Sequence, residues 1–147
     1  MTPNDITVAL VAQLKSSSAL NFVNDANIFE GVREGIINFP CIVIESDGDM
    51  VADYAYPHEK IIQKYRIGGF VNRYNKDHQL TDDDSLKGLL TLKNAIKLAI
   101  TSNATLGLED VYDTKCPASA DDNTNYPIRG FTLMVEVLYR QNRATRV

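Results

Sequence analysis

The sequence predicts an α+β domain in which one sheet, mixed or mainly antiparallel and built from long strands, is flanked by two main helices. Three observations carry this reading. Two stretches repeat apolar residues every three to four positions, as amphipathic helices do. Two others alternate apolar and polar residues over about twelve positions, roughly twice the length of a typical strand. A third, FPCIVIES from Phe39, is a continuous β-branched run. At 147 residues, with neither an internal repeat nor a boundary in composition, the chain is expected to be one domain over 1–147.

The first helix starts at Thr2, which can cap, with Pro3 at the first helical position and Asp5 near the positive helix end. Ile6, Leu10 and Leu14 form its apolar face, and Ser16, Ser17 and Ser18 end it. Residues 19–38 read as a loop with a short strand. The run from Phe39 reads as a strand buried on both faces. Asp47, Gly48 and Asp49 read as a turn, and so does His58 after Pro57.

Beyond Pro57, Ile61, Tyr65, Ile67 and Val71 alternate with Lys64, Arg66 and Asn72, and Gln63 breaks the apolar side. Gly68 and Gly69 fall mid-strand, where a bulge or a close backbone approach is expected. TDDDS opens the second helix at Thr81. Its stripe is Leu86, Leu89, Leu92, Ile96 and Ala99, with Lys87, Lys93 and Lys97 toward water and Asn103 and Gly107 at its end. A short strand through Leu108, Val111 and Tyr112 follows. Residues of about 113–127 form a mobile polar loop in this reading, because PASADDNTNYP lacks an apolar period. The last strand alternates Phe131, Leu133, Val135, Val137 and Tyr139 with polar neighbours, and a basic tail occupies about 140–147.

Composition narrows the function classes. Hydrophobic residues are 44% and charged residues 23%, as in ordinary globular domains. Neither a bilayer-spanning run nor a signal peptide is evident, so a cytoplasmic origin is expected. The net charge of −4 argues against general nucleic-acid binding. Charge is nevertheless uneven: residues 1–59 carry −7, residues 60–77 carry +4, and the stretch from Arg129 carries +3. Cys41 and Cys116 read as small hydrophobes rather than a disulfide or metal pair.

No reactive constellation emerges. His58-Glu59 would open a zinc-protease motif, but its fifth position is Ile62. Glu45, Asp47, Asp49 and Asp53 miss the calcium-loop spacing, and Asp82, Asp83 and Asp84 are explained by helix-start chemistry. A phosphate loop, a nucleophile elbow and a C-x-x-C pair are all missing. No catalytic residue, metal or cofactor is therefore expected, and the chain reads as a non-enzymatic protein that works through its surfaces.

The order of elements, with FPCIVIE, KIIQKYRIGGFV and the closing VEVLYRQ, resembles the tail terminator proteins of long-tailed bacteriophages and related neck and tail-completion proteins. The likeness runs from Thr2 to about Arg140 and lies in element order. It implies a mixed α/β subunit in a ring, usually a hexamer. Such a ring caps the tail tube, ends its polymerisation and offers a face to the head-side neck or connector protein. The implied location is the virion tail or neck, after assembly in the host cytoplasm.

Several physical features agree with the resemblance. Strands this long should project past the core and can extend a neighbour's sheet. An acidic net charge suits a channel through which DNA slides without specific binding. A ring needs two different complementary surfaces. The candidate acids for that contact are Glu45, Asp47, Asp49 and Asp53; the candidate bases are Lys64, Arg66, Arg73, Arg140, Arg143 and Arg146. They should meet a neighbouring subunit or the tube. The alternative assembly role is a head-completion or head–tail connector subunit. A small cytosolic enzyme and a ligand-binding module are the alternatives from other classes.

Overall fold

A computed structural model describes residues 3–31, 40–55, 57–72, 89–122 and 128–142. Helix α1 spans Pro3–Ser16 and α2 spans Leu89–Thr101. The strands are β1 (Ile28–Glu30), β2 (Cys41–Ala55), β3 (His58–Asn72), β4 (Val111–Asp122) and β5 (Ile128–Asn142). They form one mixed sheet in the order β1-β2-β3-β5-β4. Only β1 runs parallel to its neighbour; the other pairs are antiparallel. The α+β class with long strands and two flanking helices is what the sequence predicts.

Both helices pack on one face of the sheet. Ile6, Leu10 and Leu14 from α1 and Leu89, Leu92 and Ile96 from α2 meet Ile42, Ile44, Ile67, Leu133 and Val135 in a single buried core. Each such side chain contributes about 1.5–3 kcal/mol by leaving water. Two polar contacts tie the layers. Thr7 Oγ1 lies 2.9 Å from Tyr65 Oη, joining α1 to the centre of β3. Gln13 Nε2 donates to the carbonyls of Ala99, Ile100 and Asn103, satisfying acceptors at the end of α2. The chain leaves that helix through left-handed Leu106 and Gly107.

The glycines of β3 mark no bulge, since the register runs unbroken through them, and what approaches them closely is aromatic rings in place of the expected backbone. A Cβ at Gly69 would lie 2.4 Å from Phe131 Cζ on the helix side. On the other side, Phe70 lies over its neighbours: a Cβ at Gly130 would come within 2.6 Å of Phe70 Cδ1, and one at Gly68 within 2.9 Å of Cε2.

Several sequence expectations need correction. Asp47–Asp49 is not a hairpin turn. It is a register shift inside β2, with Gly48 at φ 87°, and the strand continues to Ala55. Gln63 supplies the reason: its Nε2 donates to Ser46 Oγ and to the Gly48 carbonyl, both at 3.1 Å, so the amide that broke the apolar pattern holds the bulge. His58 is the first residue of β3 rather than a turn residue. FPCIVIES does not bury both faces, because Ile42 and Ile44 enter the core while Val43 and Glu45 stay half-exposed.

The polar segment expected to be a loop is, as far as Asp122, the edge strand β4. Its ladder to β5 supplies order that its own side chains do not, and a register shift between Lys115 and Ala118 absorbs Pro117. Lys93 is not a water-facing residue: only 12% of its side chain is exposed, and it pairs with Asp121 and covers the Phe131 ring. The expected helix start at Thr81, together with Leu86 and Lys87, lies outside the described residues, as does the rest of the expected loop at 123–127.

Candidate subunit interface

The four candidate acids all belong to β2, and three of the candidate bases belong to β3 and β5. Antiparallel pairing folds the acidic segment back onto the basic one. Arg66 therefore reaches Glu45 at 3.7 Å and Asp47 at 3.6 Å, in the same chain. Asp53, Lys60 and Arg140 line up across β2, β3 and β5 in register, and Lys64, Glu136 and Lys115 do so across β3, β5 and β4. Arg140 is held by Asp110 at 2.9 Å, and that hydrogen bond, then the carboxylate's charge, raises its pKa further. Charge that is segregated along the chain becomes interleaved on the sheet. Arg73, Arg143 and Arg146 lie outside the described residues.

Three of the candidates are left for other partners. Asp49, Asp53 and Lys64 make no ion pair among the described residues. Asp49 sits close enough to Tyr139 for its charge to help raise the phenol. Burial is the larger cause, and together they push that hydroxyl up to about 12. Burial likewise pushes the Cys41 thiol up to about 11, so it remains a protonated apolar group at neutral pH. The Cys116 thiol also rises through burial, less so because Lys97 opposes the shift.

Two concave regions accompany these residues. The larger, about 830 Å³, is an open groove between the C-terminal halves of α1 and α2, lined by Ala9, Ala12, Gln13, Ser16, Leu98 and Ser102 among others. Its small side chains let another backbone approach closely. The second, about 180 Å³, lies among Asp53, His58, Glu59, Lys60, Tyr112 and Arg140, at the end of the sheet where β2 pairs with the start of β3. There Lys60 Nζ sits 5.5 Å from the Tyr112 ring centre. The sequence marks Tyr112 only as a strand residue and does not mark Asp110 at all, since only the β4–β5 register brings them to Lys60 and Arg140. Gln63 was visible as a break in alternation, though its role was not.

The sheet's other face carries no helix among the described residues. Alternation places Val43, Ile62, Met134 and Leu138 there, all half-buried, beside exposed Met50. No family model matches the sequence, and no curated protein matches it. Among solved structures, the fold is similar to a chain from the structure titled "Virion of native gene transfer agent (GTA) particle", with a TM-score of 0.61 and 12% sequence identity. The likeness covers 92% of this chain and 95% of that one, so the two share one architecture nearly end to end.

Proposed function

We propose that this protein is a phage-type virion assembly protein, a non-enzymatic subunit of a homo-oligomeric ring, a hexamer, that caps the tail tube. The ring ends tube polymerisation and joins the tail to the head-side neck. The observation that carries the reading is the end-to-end likeness in fold to a chain of a gene transfer agent virion. The open sheet face and the groove of small side chains between the helices support it, because a protein that works by assembly needs two unlike surfaces on each subunit.

Charge has a secondary role in this reading. Exposed pairs contribute only about 0–1 kcal/mol each, so apolar burial supplies the affinity, and the charges set orientation and encounter rate. Asp49, Asp53 and Lys64, together with Arg73, Arg143 and Arg146, are the candidates for that steering. Arg66, Glu45, Asp47 and Arg140 act first within their own subunit.

Negative-stain microscopy of the purified protein, alone and mixed with tail tubes, tests the proposal. Rings with a central hole, found at tube ends and halting elongation, are the expected result. A protein that stays monomeric and leaves tubes growing sinks it. Binding to the portal side in place of the tube would assign it to the head–tail connector instead.

A further inference from the structure

We infer that neighbouring subunits meet by laying the helix layer of one copy on the uncovered sheet face of the next, and not by joining strand edges. This rests on the ring reading above and specifies its contact. Both sheet edges are poorly suited to strand addition. Edge strand β4 carries Pro117, which has no N–H to donate, and its ladder slips between Lys115 and Ala118. At the other edge, β1 covers β2 only at Ile42–Ile44. The rest of β2 contains two register shifts and the acids Asp47, Asp49 and Asp53. Bulges, proline and charge are the usual means by which an edge is kept from pairing.

Each face carries apolar side chains within reach of solvent, and on the open sheet face these alternate with Glu45, Lys64, Arg66 and Glu136. The outward stripe of α2 is Leu90, Asn94, Leu98 and Thr101, all exposed and none charged. Leu90 and Leu98 stand 45% and 59% open to solvent. A helix facing water normally presents charge on that side, and one lacking it all round is normally buried. On the far side of the molecule the open sheet face offers Ile62, Met134 and Leu138, with the Phe70 ring lying over Gly68 and Gly130.

The size also fits. β2, β3 and β5 run 15 residues each and β4 runs 12; at about 3.3 Å per residue and about 4.8 Å between strands they present roughly 900 Å². A standard stable interface takes ~800 Å² from each partner. The two patches lie on opposite sides of one subunit, because both helices cover the same face of the sheet. Joining them is a head-to-tail contact that uses each patch once per copy; it closes into a ring where the two patches are inclined to each other by the ring's rotation, and runs on as a filament where they are parallel.

Paired cysteines test this. In a Cys116→Ser background, with Cys41 left buried, Leu98→Cys and Met134→Cys are introduced singly and together and treated with a short bis-maleimide. The expected result is a ladder of covalent multimers from the double variant and monomers from each single one. Met134→Glu should leave the melting temperature of the subunit within a few degrees of wild type yet abolish rings in micrographs. Rings that form with no ladder, or with Met134→Glu in place, overturn this contact and leave the capping role standing. Cross-linking of Met134→Cys alone points to sheets meeting face to face and also overturns it. A ladder from a protein that never caps tubes keeps the contact and removes the terminator reading. A protein with neither rings nor ladder removes both.

Discussion

The two faces of the sheet come from the same strands and have opposite fates. On the helix side, Ile42, Ile44, Ile67, Leu133 and Phe131 are fully buried, and Phe131 occupies the space that Gly69 leaves open. On the other side, Val43, Ile62, Met134 and Leu138 alternate with Glu45, Lys64, Arg66 and Glu136, and nothing among the described residues covers them. The first face makes the subunit stable. The second adds less to stability, because its apolar side chains stay partly open to water. Burial within the chain, not hydrophobicity alone, decides which apolar side chains hold the fold together.

The largest effect should come from the helix side. Leu92→Ala deletes a fully buried side chain that reaches over Gly69. It should cost about 2–5 kcal/mol in denaturant unfolding. A loss below half a kcal/mol would mean that the core does not depend on α2. Gly69→Ala probes the same place from the opposite direction. Its Cβ would clash with Phe131 and press on Leu92 Cδ2 at 3.2 Å. Overpacking of this kind should cost about 1–3 kcal/mol, and an unchanged melting curve would show that Phe131 can move aside.

A third test uses pH at the C-terminal end of β5. The Tyr139 hydroxyl is buried with no hydrogen-bond partner among the described residues, and its pKa rises from 10.0 to about 12. A folded-state pKa above the unfolded one gives stability that is intact below about pH 10 and lost as pH climbs through about 12. Cys41 adds a similar loss between about 9 and 11. Tyr139→Phe should therefore flatten the alkaline limb of a stability–pH curve and, by removing an unsatisfied hydroxyl, change stability at pH 7 by no more than about 1 kcal/mol. An alkaline limb as steep as that of wild type would place the titration elsewhere.

The smallest effect belongs to the open face. Met134→Thr should shift subunit stability by about 0.5 kcal/mol or less, as surface changes do, while weakening assembly. Should it instead unfold the subunit as Leu92→Ala does, the two faces are not separable and the distinction drawn between them fails.

The sequence was legible wherever a side-chain pattern is local. The period of α1 identified Ile6, Leu10 and Leu14. The alternation of β5 identified Phe131, Leu133, Val135, Val137 and Tyr139, all of them buried. It also flagged Gln63 and the two glycines as exceptions, each with a cause in the structure. It caught only the start of β4, at Val111 and Tyr112, and missed the rest as far as Asp122, whose polar residues have no strand signal of their own. That segment is a strand because β5 offers it a ladder of backbone partners, and a hydrogen-bonding edge does not ask for apolar side chains.

Charge shows the same division. The sequence by itself determined which residues are charged and that acids precede bases along the chain. Only the tertiary structure decided that β2 lies against β3, so that Arg66 neutralises Glu45 and Asp47 and Arg140 is engaged by Asp110. Periodicity is written in neighbouring residues, and one helical turn or one pleat suffices to express it. Pairing between residues twenty or more positions apart depends on register. In β2 that register is fixed by a bulge held by a glutamine from the next strand, a contact that does not exist until the chain has folded.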